Sequence, residues 1–564
     1  MTTAATPRLA DFVKAYDVRG LVPDQLDERV SRAIGSAFAR VVALPEGAAS
    51  VVIGHDMRPS SPTLSRAFAA GVAAHGIDVT LVGLTSTDEL YYASGALEVP
   101  GAMFTASHNP AEYNGIKLCR AGARPVGQDT GLADIRDLAQ ADLDAGVESA
   151  HAGAPTGTIT ERDVLADYAL FLRGLVDLSG GRRLKVVVDA GNGMAGHTVP
   201  AVLGTAAGLA PLPLEIVPLY FELDGTFPNH EANPLEPENL RDLQAAVLAH
   251  GADLGLAFDG DADRCFVVDE RGIAVSPSAV TGLVAAREIG KEVDRGVDPG
   301  QIRVVHNVIT SLAVPELVTE LGATPVRTRV GHSFIKAEMA SAAAVFGGEH
   351  SAHYYFRDFW FADTGMLAAM HVLAALGEAQ EPLSALVTAY ERYAASGEIN
   401  STVIERDAAV QRALDWAHAQ GPVEIDRLDG VTVRHLGAPL WWFNVRPSNT
   451  EPLLRLNVEA ADPTTMARVR DSVLALLRGE GTAVGAVATD RAMIRRPGVG
   501  TPELDPPIAE PVLPPWLRAI LRCPACREPL VDRAGGLECT GCRLRYRIED
   551  GIPVLLVDEA TRPD

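Results

Sequence analysis

Apolar residues along this chain come in short β-branched runs that end at polar or glycine-containing turns and give way to stretches of helical period. Ser50–Asp56 (SVVIGHD) reads as a strand, Ser61–His75 as an alanine-rich helix, and Asp78–Leu84 (DVTLVGL) as a second strand. The pattern restarts at LKVVVDAGNG (184–193) and at IRVVHNVIT (302–310), at intervals of roughly 115–135 residues. Each restart is a strand, a polar turn and a helix, which predicts three similar α/β units. Residues near 395–480 break the pattern. The runs STVIE, VTVRHL and WWFNVRP read as strands, with a closing helix from about Pro463 to Leu477, a smaller α+β domain. From Arg496 to Pro515 proline is dense and periodicity vanishes, the mark of a semi-rigid linker. The expected boundaries are 1–150, 151–272, 273–392 and 393–480 for four domains, 481–515 for a linker, and 516–564 for a small tail.

Composition narrows the function classes. At 47% hydrophobic and 22% charged, the 564 residues are globular rather than fibrous or disordered. The 49 basic and 73 acidic residues give a net charge of -24, which repels nucleic-acid backbones and anionic lipids. An anionic substrate must therefore be held by a local basic site. The longest uncharged stretch, Ala190–Leu214, carries three prolines and five glycines, so no membrane span is expected. The N-terminal residues show no basic start followed by an apolar run, and Cys119 and Cys265 stand alone as small apolar residues. A cytoplasmic protein is the expectation.

Five segments carry chemistry. TASHNP (105–110) follows the apolar run GAMF and sets Ser107 and His108 on a loop, with Lys117 close behind. DGDADR (259–264) lies between the apolar runs DLGLAF and CFVVD. Asp259, Asp261 and Asp263 at alternate positions can converge on one hard cation. A calcium EF-hand is excluded, because Arg264 stands where its turn needs glycine and the flanks read as strands. Mg²⁺ is the expected ion, one per site, with Arg264 placed for a phosphoryl oxygen. RPSNTEPLLR (446–455) offers Arg446, Ser448, Asn449, Thr450 and Arg455 as a cradle for a phosphate monoester. GGEHSAHYYF (347–356) offers Glu349, Ser351 and His353 to sugar hydroxyls, and RVGHSFIK (329–336) adds Gly331, His332 and Lys336.

This set, in this order, resembles the α-D-phosphohexomutase superfamily from about Ala15 to Leu477, and its phosphomannomutase/phosphoglucomutase branch in the GEHSAH loop. KAYDVRG (14–20), with Tyr16 and Arg19, is similar to the N-terminal signature of that family. The chain departs from the family pattern at Ala352 and at Thr364. The resemblance implies a heart-shaped enzyme of four domains with a central cleft. Ser107 would carry a phosphoryl group, donate it to a hexose phosphate, and take the other phosphate back after the bisphosphate turns around. Asp259, Asp261 and Asp263, with the Ser107 phosphate, would hold Mg²⁺. Arg19, Lys117 and His332, beside His108, would serve acid/base work. Tyr16, Arg264, Gly331, Glu349, Ser351, His353, Arg446, Ser448, Asn449, Thr450 and Arg455 would bind substrate. Interconversion of mannose 6-phosphate and mannose 1-phosphate is the expected reaction, with glucose phosphates as candidate substrates. Phosphoglucosamine mutation and a catalytically silent sugar-phosphate sensor are the alternatives.

The tail is separate. Cys523-x2-Cys526, twelve residues, then Cys539-x2-Cys542 has the spacing of a tetrahedral zinc site. Residues 516–557 resemble the small zinc-ribbon protein that serves methyltransferases as an adaptor subunit, which implies a structural Zn²⁺ and a docking surface for a protein partner. Monomer and homodimer both remain open.

Overall fold

The computed structural model describes residues 7–14, 16–146, 156–447, 453–479, 521–533, 536–549, 552–553, 555, 557 and 560–562, and of His332, Asp532, Arg533, Ile548, Glu549 and Ile552 the backbone alone. The chain divides into two compact units, Met1–Ala483 and Val484–Asp564.

The large unit repeats one strand plan three times. In the first instance Ser50–His55 is central, Asp78–Leu84 lies parallel on one side, and Gly101–Phe104 lies parallel on the other. Tyr113–Arg120 then returns antiparallel beyond Gly101–Phe104. Leu184–Asp189, Leu214–Leu219, Leu254–Phe258 and Cys265–Asp269 pair in the same order and sense. So do Arg303–Asn307, Thr324–Thr328, Phe346–Gly348 and Tyr354–Phe356. The central strands read as continuous apolar runs because helices cover both their faces; Val186, Val187 and Val188 are all fully buried. Each such side chain contributes about 1.5–3 kcal/mol of apolar burial. The first unit has its own core, whereas the second and third share one continuous cluster that includes Val186, Phe258, Phe346 and Met366.

The fourth domain is an antiparallel sheet in the order Ala394–Thr402, Leu453–Ala460, Trp441–Pro447, Val431–His435, Val423–Asp426. Helices Arg406–Ala419 and Pro463–Arg478 pack on it. One strand differs from the sequence reading. It runs Ala394–Thr402 rather than over STVIE, whose last residues lead into the helix that starts at Arg406. Alternation is broken there by a bulge between Ala395 and Glu398, where Gly397 takes φ +68°. The expected linker, 481–515, lies outside the described residues.

In the small unit Leu530–Arg533, Gly536–Cys539 and Arg545–Glu549 form an antiparallel meander. Its core is Cys523, Leu530, Leu537, Cys539, Leu544 and Tyr546, too few residues to supply a stable interior without a staple.

Candidate active site

The repeated plan decides where the chemistry lies. In each of the three units the loop between the third and fourth strands carries a motif: 105–112 with Ser107, 259–264 with the aspartates, and 349–353 with Glu349 and His353. Ser107 sits at φ +50°, a left-handed conformation that costs a non-glycine residue about 1–2 kcal/mol. Buried Arg58 holds the loop from behind, donating to the carbonyls of Ser107 (3.0 Å), Asn109 (2.6 Å), Pro110 (2.8 Å) and Tyr113 (2.8 Å). From the second unit Gly260 presses on it so closely that a β-carbon there would stand 2.3 Å from the Ser107 carbonyl oxygen.

That contact brings the serine to the acids. Ser107 Oγ donates to Asp259 Oδ2 at 2.8 Å and lies 3.1 Å from His108 Nδ1. Carboxylate oxygens of Asp259, Asp261 and Asp263 all lie within 4.8 Å of one another, buried. Buried Asp261 Oδ1 and Asp263 Oδ1 have no hydrogen-bond partner, while Lys117 Nζ donates to the other oxygens of both residues at 2.6 and 2.5 Å. Thr87, which opens the helix Thr87–Leu97, adds a 2.6 Å bond to Asp261 Oδ2. Two buried carboxylate oxygens without hydrogen bonds, in a cluster of three acids, suit a hard cation that takes oxygen ligands.

The charges follow from burial and neighbours. Burial pushes the Asp259 carboxyl up to about 7, against the pull of Arg264 at 2.8 Å. Burial alone would raise Asp261 too, yet the Lys117 charge and the Lys117 and Thr87 hydrogen bonds hold it well below the usual carboxylate range. Lys117 is buried, which would lower it, but the two aspartates keep it firmly protonated. Burial, with Arg264 and Arg19 nearby, drives His108 well below its ordinary value, so its ring is neutral and its Nδ1 accepts from Arg264.

Above this floor opens a cleft of about 530 Å³ lined by Tyr16, Arg19, Ser107, His108, Lys117, Asp263, Arg264 and His353, together with Tyr91 and Asp363. Its basic side chains supply the local positive site that a chain of net charge -24 needs. Arg19 donates to the Ala106 carbonyl at 3.1 Å and to Asn109 Oδ1. A β-carbon on Gly331 would stand 3.0 Å from the Tyr16 hydroxyl. In the third loop Glu349 accepts from Asn307 (3.1 Å), the Gly331 amide (3.2 Å) and Tyr355 (2.7 Å), and Ser351 Oγ lies 3.1 Å from His353 Nδ1. Arg446 and Arg455 stand in the fourth-domain sheet and do not line this cleft. The side chain of His332 and the residues Ser448, Asn449 and Thr450 lie outside the described residues.

Several contributors escaped the sequence reading. Buried Asp88 accepts from Tyr168 of the second unit (2.7 Å), Thr364 of the third (2.7 Å) and its neighbour Ser86. It fastens the three units together one residue from Thr87. Burial pushes Asp88 up to about 6. Lys336, which the sequence reading did offer, pairs with Asp363 at 2.6 Å and sits 4.1 Å from the centre of the Tyr91 ring, so it helps build the cleft wall.

Family models for the four domains of phosphoglucomutase/phosphomannomutase match in order: alpha/beta/alpha domain I over residues 11–144, domain II over 166–272, domain III over 278–393, and the C-terminal domain over 398–476. A "Phosphohexose mutases" protein of Xanthomonas campestris pv. campestris is 43% identical over 470 residues, spanning 83% of this chain and 99% of its own. The chain belongs to the phosphoglucomutase/phosphomannomutase family. Phosphomannomutases of Salmonella typhimurium (40% identical, 82% of this chain and 98% of theirs) and Escherichia coli K12 (38%, 83% and 98%) are further relatives. Among solved structures, a phosphoglucomutase/phosphomannomutase family protein from Burkholderia thailandensis superposes with a TM-score of 0.72 at 30% identity, covering 84% of this chain and 98% of its own. The four-domain mutase architecture and the family read from the motifs are thus borne out. Residues 517–551 match the Trm112p-like protein family, also as read. Among the described residues no helix is long and apolar enough to cross a membrane.

In the small unit the four cysteine sulfurs lie within 4.8 Å of one another. Cys523 is 3.5 Å from Cys542 and Cys526 is 3.3 Å from Cys539, well beyond the roughly 2.05 Å of a disulfide. Against the upward push of burial, the Tyr546 hydroxyl and nearby backbone amides bring the Cys523 thiol down to about 6. Four convergent sulfurs with one thiolate already favoured suit a tetrahedral metal. Chelation should therefore unfold this unit and leave the mutase domains folded. In the full chain about four thiols should become reactive on adding a strong chelator, since Cys119 and Cys265 are buried. Unchanged thiol reactivity after chelation would refute a metal-held ribbon.

Proposed function

We propose that this protein is a phosphomannomutase that interconverts mannose 6-phosphate and mannose 1-phosphate, with glucose phosphates as further candidate substrates. The observation that carries this reading is Ser107 Oγ held 2.8 Å from Asp259, beside two further buried aspartates whose Oδ1 atoms make no hydrogen bond, in a cleft lined by cationic side chains. The relatives named phosphomannomutase support the mannose assignment.

In the proposed cycle Ser107 carries a phosphoryl group. A sugar hydroxyl attacks the phosphorus as the P–Oγ bond breaks, and the hydroxyl proton is lost to a base in the cleft. The resulting hexose 1,6-bisphosphate turns around, and Ser107 Oγ attacks the other phosphate as the sugar O–P bond breaks; the departing sugar oxygen takes back the proton, and the phosphoserine is regenerated. Asp259, Asp261 and Asp263 would hold Mg²⁺, which when bound neutralises charge on the transferring phosphoryl group. Lys117, bonded to Asp261 and Asp263, and Arg19, bonded to Asp17, place positive charge beside the transferring group. Arg264 fixes Asp259 and faces the same cleft. Glu349, braced by three donors, and Ser351 meet sugar hydroxyls, while Arg446, Arg455 and residues 448–450 grip the phosphate that is not reacting. The tail would hold structural Zn²⁺ and present a docking face to a protein partner.

A coupled assay on mannose 1-phosphate, glucose 1-phosphate and glucosamine 1-phosphate tests the assignment. Turnover of the mannose ester at a kcat/KM at least comparable to that of the glucose ester is expected. Exclusive use of the glucosamine ester would replace the reading with its alternative, and no turnover of any would leave only a sugar-phosphate sensor.

A further inference from the structure

The two arginines of the fourth domain create a problem that a third residue solves. Arg446 and Arg455 are direct cross-strand partners. Like charges directly opposite each other destabilise an antiparallel pair. The described relief comes from the next strand. Glu398 Oε2 accepts from Arg446 Nη2, and its Oε1 accepts from Arg455 Nη1 at 3.1 Å. Arg446 also donates to Asn457 Oδ1 at 3.0 Å, and its side chain is only 5% exposed. The bulge at Gly397 is what aims Glu398 here, since the register resumes at Glu398 opposite Asn457 immediately after it. Glu398 itself remains 25% exposed and Arg455 31%, so an incoming anion can reach this group of charges.

We propose that Glu398 is a displaceable counter-charge built into the phosphate grip. It rests on the reading of residues 446–455 as a phosphate site. In the empty protein one carboxylate keeps both guanidinium groups paired and pre-arranged; when a phosphate enters, it shares or takes over those donors. The grip is correspondingly weaker than two unopposed arginines would make it. That suits a bisphosphate that must let go of this site and bind it again by its other end within one cycle.

The test compares the full-length protein with Glu398→Gln, Glu398→Asp and Arg446→Gln, using inorganic phosphate as the probe at constant ionic strength. Glu398→Gln should melt lower than the parent without phosphate, because the arginine pair has lost its counter-charge. Phosphate should then raise its melting temperature by more than it raises the parent's. Its phosphate Kd should fall by about tenfold, about 1.4 kcal/mol, while kcat drops. Glu398→Asp, which keeps the charge, should stay near the parent in phosphate affinity. A merely architectural role predicts the opposite sign: equal or weaker phosphate binding by Glu398→Gln and no extra rescue by phosphate would overturn the proposal. A parent response to phosphate that persists unchanged in Arg446→Gln would instead overturn the phosphate-site reading beneath it, and this proposal with it.

Discussion

Ser107→Ala should lose at least about 10³-fold in kcat while its affinity for hexose phosphate stays within a few-fold. On the proposed mechanism the hydroxyl is the only part of the residue that the chemistry uses. Ser107 Oγ meets Asp259 and His108, whereas the backbone is held separately, by Arg58 on its carbonyl and by Thr105 Oγ1 on its amide at 2.8 Å. Alanine suffers the same left-handed backbone cost as serine, so the loop should keep its shape and the melting temperature should move little. Mass spectrometry supplies an independent readout: after incubation with a hexose bisphosphate, the peptide spanning Ser107 should gain one phosphate in the parent and none in the variant. An unmodified parent peptide, or a variant with near-normal turnover, would remove Ser107 from the mechanism.

Asp261→Asn is expected to weaken divalent-metal binding by at least about 100-fold and to cut kcat at fixed low Mg²⁺ by a similar factor, with a smaller change in substrate KM. Asp261 is anchored through one oxygen: Thr87 and Lys117 both bind Oδ2, while Oδ1 has no hydrogen-bond partner and is left as the ligand atom. An amide keeps the shape and the Thr87 bond but removes one of the two carboxylate charges bonded to Lys117, leaving that of Asp263. Mn²⁺ titration of the full chain, followed by electron paramagnetic resonance, measures the binding loss without reference to activity. Parent protein that turns over at full rate in chelator would sink the metal-dependent reading.

Much of this site is visible in the letters because its reactive groups are local. TASHNP and DGDADR each fit in six residues, and a strand exit or a tight loop needs no distant information to be recognised. What surrounds them is not local. Thr87 reaches Asp261 across 174 residues, and Asp88 reaches Thr364 across 276. On its own, Asp88 reads only as an acid near a helix start, and its burial between three units has no sequence signature. Thr364 was visible as a departure from the family pattern, and Asp88 is the contact that gives that departure a physical meaning. Glu398 was hidden differently: the bulge at Gly397 breaks the alternation of its strand, and the sequence reading began that strand only at Ser401. The threefold strand plan was legible from the recurring apolar runs. That all three motifs would fall on the same loop of that plan was not, because the pairing order of strands is set by packing rather than by any one run.

That shared loop position also bears on how the protein is made. Ser107 is supplied by the first unit, its acidic partner by the second and the sugar-facing carboxylate by the third, so on the proposed reading no fragment of the chain holds a working set. A ribosome that has released only the first unit has exposed an ordinary serine, with no cation site to activate it and no pocket to retain a sugar. Reactivity then arises as a single event when the later units dock, and a chain that stalls or misassembles before that point is chemically quiet rather than a wasteful phosphatase.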